Sequence, residues 1–168
     1  EKKEQEIMCV LHFAYGSNLW FEQMQARCSE HKKIGKGILK DYRWIIAVRK
    51  NMKPAANIII SKGGFVEGYV FELSKKDEEN LDRYEGKSYK KINLEIEIGL
   101  EYKTCMVYVD KKNVSQAGDI QKESVNTNQY KCTVGCLCTY GSRINKGIKD
   151  CQLSEKYVER DIRKFIDN

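Results

Sequence analysis

An α+β fold, with a small mixed or curled, barrel-like β-sheet flanked by a few helices, is the architecture that this sequence predicts. Strand-type segments outnumber helical ones, and they do not alternate regularly with helices as βαβ units would. The clearest segment is 92–98, where isoleucine and leucine alternate strictly with asparagine and glutamate, as in a half-buried strand. With 168 residues, 41% of them hydrophobic and 32% charged, we expect a single domain over residues 1–168.

The first elements follow from apolar runs and the turn residues between them. The run Met8–Tyr15 predicts a strand, and the amphipathic segment 19–28 predicts a helix directly after a Gly-Ser-Asn turn. Segment 35–49 is long and largely apolar, which predicts a second strand. Segments 57–60 and 65–73 flank Lys62-Gly63-Gly64, and we predict that they pair as a hairpin across this turn.

The remaining elements are two strands and two helices. Ser74, followed by Asp77 and Glu78, is a helix-start signal and predicts a helix over 74–84. Strands are predicted over 92–98 and 102–109, and the polar segment 110–128 predicts a loop. An amphipathic pattern over 153–166 predicts a C-terminal helix with Ser154 as its cap.

Charge and hydropathy argue against several function classes. The net charge is +6, but lysine and arginine occur singly or in pairs, without a basic block or a nucleic-acid motif. We therefore expect a solvated lysine-rich surface and no nucleic-acid partner. No apolar run approaches the roughly 18 residues of a membrane span. The charged stretch Glu1–Glu6 lacks the apolar core of a signal peptide, so we expect a cytoplasmic protein.

Seven cysteines, an odd number, favour free thiols in a reducing compartment. Cys132, Cys136 and Cys138 form a C-x3-C-x-C cluster. A structural zinc site usually has four ligands, and no histidine occurs in this region. On spacing alone we expect small buried residues on a strand rather than a metal site.

The segment His12–Leu19 reads as a strand, a tight turn and the start of a helix. Gly16 allows a sharp turn and a close approach of the backbone to a ligand, and Ser17 or Asn18 is expected to cap the helix. Free N–H groups at such a junction can bind an anion or an oxyanion. An ordinary strand–helix turn would carry the same residues, so the turn alone does not establish a site.

Glu85 is the candidate proton-transfer residue. It ends the predicted helix just before Gly86, a natural stop, and a helix C-terminus disfavours negative charge and so raises a carboxyl pKa. The alternative is a solvated glutamate at a helix end. We expect His12 to be a packed core histidine, and Ser17 lacks the second glycine of a G-x-S-x-G nucleophile turn.

Two motifs together resemble the γ-glutamylcyclotransferase family. Phe13-Ala-Tyr-Gly-Ser-Asn-Leu19 is followed some 60 residues later by Leu81-Asp-x-x-Glu-Gly86, in the order and at the spacing of the family. Ser88-Tyr89 before the strand at 92 and Gln129-Tyr130 after the polar segment extend the resemblance over about residues 8–130. The sequence departs from the family at 126–129, where Pro-Ser is usual, and at the cysteine-rich segment 131–140.

The resemblance implies an enzyme that cyclises a γ-glutamyl amide to 5-oxoproline and releases an amino acid or amine. It implies no metal or cofactor, a small-molecule substrate as partner, and a monomer or homodimer. Alternatives are a γ-glutamylamine cyclotransferase acting on a biosynthetic intermediate and a non-catalytic binding relative. The implied catalytic residue is Glu85, and the implied substrate-binding residues are Phe13, Ala14, Tyr15, Gly16, Ser17, Asn18, Tyr89 and Tyr130.

Overall fold

Five strands close into a barrel in the computed structural model, which describes residues 8–50 and 52–168. The strand order around the barrel is β1-β3-β2-β4-β5. This confirms the predicted α+β fold with a barrel-like sheet. The N-terminal stretch from which we expect no signal peptide lies outside the described residues. The five barrel strands are β1 (Cys9–Ala14), β2 (Lys32–Ala47), β3 (Ala55–Ser74), β4 (Lys90–Ile98) and β5 (Glu101–Val109).

The barrel closes through one parallel strand pair. β1 runs antiparallel to β3 along its whole length, from Cys9 opposite Ser74 to Ala14 opposite Tyr69. On its other side β1 meets β5 in parallel, with His12 opposite Met106. The strictly alternating segment forms β4, which pairs along its length with β5. Side chains from these strands fill the interior, and full burial of each large apolar group contributes about 1.5–3 kcal/mol. The largest fully buried side chains include Phe13, Trp44, Ile45, Ile58, Phe71 and Ile96.

The predicted hairpin across Lys62-Gly63-Gly64 is wrong. Both of its segments belong to the single strand β3, which pairs with β2 on either side of an irregularity. Residues 61–64 bulge out opposite the single residue Asp41, whose carboxylate accepts a hydrogen bond from the Gly63 N–H at 3.0 Å. Gly63 has φ +82°, a conformation that serves a bulge as well as a turn.

Helical segments connect β1 to β2 and β3 to β4, and a further helix follows β5. A 3₁₀ turn (Ser17–Leu19) precedes helix α1 (Phe21–Arg27), so the predicted helix 19–28 is divided at Trp20. Helix α2 (Lys75–Glu85) begins as predicted, since the Ser74 hydroxyl accepts from the Asp77 N–H at 3.2 Å. The predicted loop 110–128 is wrong in its second half, because it contains helix α3 (Asp119–Thr127).

The C-terminal part adds a small hairpin and two helical segments. Strands β6 (Gln129–Lys131) and β7 (Leu137–Thr139) pair antiparallel, and helix α4 (Tyr140–Cys151) follows directly. Helix α5 (Glu155–Tyr157) is capped by Ser154, as predicted. It continues as a π-helical turn (Val158–Ile162), so the predicted helix 153–166 is shorter than expected. No helix among the described residues is long and apolar enough to cross a membrane.

Candidate active site

A cavity opens at the end of the barrel where β1 passes into the 3₁₀ turn. Its volume is about 50 Å³, room for a few water molecules. Seven of the eight residues that the sequence implies for substrate binding, and Glu85, line it. The lining residues are His12, Phe13, Ala14, Tyr15, Gly16, Ser17, Asn18, Ala56, Glu85, Tyr89, Tyr108 and Tyr140.

Tyr15 fixes the turn to the barrel at two points. Its hydroxyl donates to the Tyr108 carbonyl at 2.5 Å, and its own carbonyl accepts from Trp44 Nε1 at 2.8 Å. Gly16 has φ −120°, so left-handed backbone does not explain this glycine. A Cβ on Gly16 would lie 3.1 Å from Ala56 Cβ, so close packing against β3 is the reason for a glycine here.

The turn leaves backbone donors available at the cavity. Its bonds run from Leu19 N–H to Gly16 and from Trp20 N–H to Ser17, and the N–H groups of Ser17 and Asn18 have no backbone acceptor among residues 8–50 and 52–168. The predicted side-chain cap is wrong, because neither Ser17 nor Asn18 bonds to a helix N–H.

Asn18 instead connects the turn to Glu85. Asn18 Nδ2 donates to Glu85 Oε1 at 3.1 Å, while Asn18 Oδ1 accepts from Gln23 and from Arg27, both at 3.1 Å. The two donors to Oδ1 fix the orientation of the amide, so its Nδ2 is held toward the carboxyl group. Sequence reasoning missed Gln23 and Arg27, which lie on the helix after the turn.

Glu85 is held at the cavity by the end of α2. Gly86, with φ +71°, terminates the helix as predicted. Burial raises the pKa of Glu85 from 4.5 to about 7, although Arg27 and the hydrogen bond from Asn18 act in the opposite direction. A carboxyl group with a pKa near neutrality can both accept and donate a proton at physiological pH.

Two tyrosines hydrogen-bond to the backbone of a single residue of β3, Ala56, at the cavity wall. Tyr89 Oη donates to the Ala56 carbonyl at 2.8 Å, and Tyr140 Oη accepts from the Ala56 N–H at 3.0 Å. Burial raises the pKa of both phenols, so both are neutral hydrogen-bonding groups at pH 7. Sequence reasoning found Tyr89 through the resemblance but missed Tyr140 and Ala56.

His12 is a buried neutral imidazole at the cavity wall. It is 2% exposed, as expected of a core histidine, and burial lowers its pKa to about 4. Nδ1 lies 3.1 Å from the Met106 carbonyl, which can only accept, so Nδ1 carries the proton. Nε2 therefore presents a lone pair, and it has no partner within the described part of the chain.

Comparison with family models identifies the protein family of this chain. The model, described as gamma-glutamyl cyclotransferase, AIG2-like, matches residues 12–131. The chain belongs to this family. The match runs from the cavity-lining strand β1 to the small strand β6, so it includes the turn, Glu85 and Tyr89.

Solved structures share the fold of this cyclotransferase-family chain. A structure named gamma-glutamyl cyclotransferase superposes with a TM-score of 0.71 at 20% identity, covering 96% of this chain and 90% of that one. An uncharacterised protein from Homo sapiens gives 0.70 at 21% identity, with 95% and 89% covered. A yeast gamma-glutamyl cyclotransferase described as specific to glutathione gives 0.63 at 10% identity, with 94% and 97% covered. No curated protein matches the sequence significantly.

Tyr130 is the implied binding residue that the structure does not bring to the cavity. Its ring packs under Lys53 Nζ, 3.4 Å from the ring centroid, beside a neighbouring depression that shares Tyr140 with the cavity. In this cyclotransferase-family chain a different tyrosine from the C-terminal part lines the cavity: Tyr140, ten positions further on and at the start of α4. A contact between Tyr130 and substrate stays a prediction.

The raised pKa of Glu85 predicts a characteristic pH dependence of stability. Because the pKa is about 7 in the folded protein and 4.5 in the unfolded chain, the folded state holds the proton more tightly between these values. The free energy of unfolding therefore decreases as pH rises from 4.5 through 7, by up to about 3 kcal/mol from this one group. Urea unfolding of the wild type and of Glu85→Gln over this range checks the effect. The difference between the two curves should grow with pH, and parallel curves would contradict the assignment.

Proposed function

We propose that this protein cyclises a γ-glutamyl amide to 5-oxoproline and releases an amino acid or amine. The observation that carries the proposal is a carboxyl group of pKa about 7, Glu85, in the lining of the same cavity as the Ser17–Asn18 turn. The N–H groups of this turn have no backbone acceptor within the described residues. Family membership supports the same reaction class.

The substrate supplies its own nucleophile. The α-amine of the glutamyl group attacks the γ-carbonyl carbon, a five-membered ring forms, and the bond from that carbon to the leaving nitrogen breaks. No serine or cysteine nucleophile is required. The α-ammonium must first lose a proton, and the leaving nitrogen must gain one.

Glu85 is positioned to move both protons. Near pH 7 about half of the Glu85 carboxyl groups are ionised, so the group can accept the ammonium proton and then donate it to the leaving nitrogen. Asn18 Nδ2 holds one carboxyl oxygen at 3.1 Å and leaves the other free for substrate. Proton transfer by a positioned side chain contributes about 10²–10⁴-fold in rate.

The turn supplies the second element of catalysis. Attack on the γ-carbonyl places negative charge on its oxygen, and the N–H groups of Ser17 and Asn18 are fixed donors that could receive it. Since Tyr15 anchors the turn at two points, these donors need little reorganisation during the reaction.

The cavity is partly open, so part of a substrate can lie outside it. We assign the glutamyl group, which must meet Glu85 and the turn, to the cavity and the leaving group to its mouth. The leaving group is then contacted by residues at the rim. A γ-glutamylamine is for this reason a second candidate substrate class.

A substrate panel tests the proposal directly. γ-Glutamyl dipeptides, γ-glutamylamines and glutathione are each incubated with the purified protein, and 5-oxoproline is quantified. We expect 5-oxoproline from at least one member and none from the matching α-glutamyl dipeptides. If no member is turned over but one binds, the fold serves as a binding protein and the proposal is wrong.

A further inference from the structure

The hairpin formed by β6 and β7 carries three cysteines whose sulfur atoms converge. The Sγ atoms of Cys132, Cys136 and Cys138 all lie within 4.8 Å of one another. The sulfurs of Cys132 and Cys136 lie 2.7 Å apart. This group is separate from the cavity, since none of its members lines it.

The backbone of the hairpin is built to direct these thiols inward. Cys132 N–H bonds to the Cys136 carbonyl and Gly135 N–H bonds to the Cys132 carbonyl, both at 2.9 Å. Gly135 takes φ +90°, which closes the turn between the first two cysteines.

We propose that Cys132, Cys136 and Cys138 bind a thiophilic metal cation, Zn²⁺ or Cu⁺, as three thiolates. Zn–S bonds of about 2.3 Å in a tetrahedral site place sulfurs about 3.8 Å apart, inside the span that these three atoms occupy. The sulfurs of Cys132 and Cys136 must separate, by about 1 Å from 2.7 Å. Cys136 is exposed and can make this adjustment by rotating its side chain. Each thiol releases its proton on binding.

The chain offers three ligands and leaves one direction open. No fourth histidine, cysteine or carboxylate joins the group within the described residues. Cu⁺ is satisfied by soft thiolate ligands alone, whereas Zn²⁺ would complete its shell with water or an external thiol. The sequence spacing argues against zinc because it lacks a fourth ligand. The fold shows that the other three are already assembled.

Packing or a disulfide explains the arrangement less well. Cys136 is exposed, so it does not serve the apolar cluster that Cys132 and Cys138 form with Trp20. A disulfide between Cys132 and Cys136 would use two sulfurs and leave Cys138 directed at the pair without a partner. Three converging thiols on one short hairpin are the ligand set of a soft metal.

The proposed metal centre is linked to the cavity by side chains. Thr133, between the ligands, accepts a hydrogen bond from Arg27 Nε at 3.1 Å, and Arg27 Nη1 holds Asn18 at 3.1 Å. A bound metal would therefore fix the hairpin that supports the Asn18–Glu85 pair, without touching substrate.

Metal titration under reducing conditions tests the proposal. The full chain, reduced and freed of metal, is titrated anaerobically with Co²⁺ as a spectroscopic substitute for Zn²⁺, and separately with Cu⁺, with stoichiometry by elemental analysis. We expect one metal per chain and, with Co²⁺, a thiolate-to-metal charge-transfer band. Cys136→Ser, at the exposed position, should weaken binding at least tenfold and shift the band. Cys9→Ser and Cys105→Ser, which remove thiols outside the hairpin, should leave binding unchanged.

Three outcomes would overturn the proposal. One is a chain that binds less than half an equivalent of either metal at tens of micromolar. Another is equal binding by Cys136→Ser and by Cys9→Ser. The third is a Cys132–Cys136 disulfide in the protein as isolated, found by mass spectrometry, that persists under the reducing conditions used for loading. If a serine variant does not fold, the wild type alone is titrated with metal, and alkylation of its thiols is measured with and without metal. Protection of the three hairpin thiols by bound metal then supports the proposal, and equal alkylation contradicts it.

Discussion

Replacing Glu85 by glutamine is expected to lower kcat by about two to four orders of magnitude while leaving the fold intact. Glutamine has nearly the same shape, and its side-chain oxygen can still accept the hydrogen bond from Asn18 Nδ2. It cannot exchange a proton near pH 7, however, so both proton transfers lose their mediator. Measurement of 5-oxoproline release at saturating substrate, with circular dichroism of the variant, separates chemistry from folding.

The matched control is Glu79→Gln, which makes the same chemical change at an exposed position of the same helix. It should retain full activity. The kcat/KM of the wild type should increase with pH, with an apparent pKa near 7, because the ionised form of Glu85 is the base. A Glu85→Gln variant that folds and keeps more than a tenth of the wild-type rate would exclude Glu85 as the proton shuttle.

Replacing Gly147 by alanine is expected to destabilise the protein by about 1–3 kcal/mol. In an ordinary helix this change stabilises, because glycine costs about 1 kcal/mol relative to alanine. At this position of α4 the added Cβ would lie 2.5 Å from Leu19 Cβ and 2.9 Å from the Leu19 carbonyl carbon. The helix must therefore shift away from the 3₁₀ turn.

Whether Gly147→Ala lowers or raises the free energy of unfolding decides whether α4 packs closely on the turn. Lys149→Ala, at an exposed position of α4, should change the free energy of unfolding by less than about 0.5 kcal/mol. Because the turn presents the N–H groups of Ser17 and Asn18, Gly147→Ala should also lower kcat in the fraction that remains folded. A stabilised Gly147→Ala variant would show that α4 does not pack closely on the turn.

Strong local patterns allowed much of the fold to be predicted. The alternation over 92–98 identifies β4 because a sheet with one buried face imposes it, and Ser74 identifies the start of α2 because a cap is a local interaction. The glycines at 63 and 64 led to a wrong hairpin prediction, since a bulge and a hairpin turn require the same backbone freedom. Only the pairing of β3 with β2, a non-local fact, distinguishes the two.

The candidate site was predictable where its residues are contiguous or carried by a motif. The turn and Glu85 were predicted from two short motifs. Tyr140 could not be predicted in this way, because its hydroxyl reaches Ala56 across 84 positions and its place depends on how α4 packs. Helix α3 was missed because it buries only Val125, so its sequence lacks the apolar stripe by which a helix is recognised. The three sulfurs of the β6–β7 hairpin converge through a turn that spacing alone does not specify.

The parallel pairing of β1 with β5, which closes the barrel, also bears on the stage of folding at which the site forms. His12 and Met106 are 94 positions apart, and among the described residues they are the one pair that joins β1 to β5 in register. Contacts of such long range are entropically costly to form early, so we expect the pairing of β1 with β5 to form late. The turn that binds substrate begins only a few residues after His12. A chain without this pairing therefore has no active site and exposes two unpaired strand edges, which makes catalytic competence a report on complete folding and an incompletely folded chain prone to self-association.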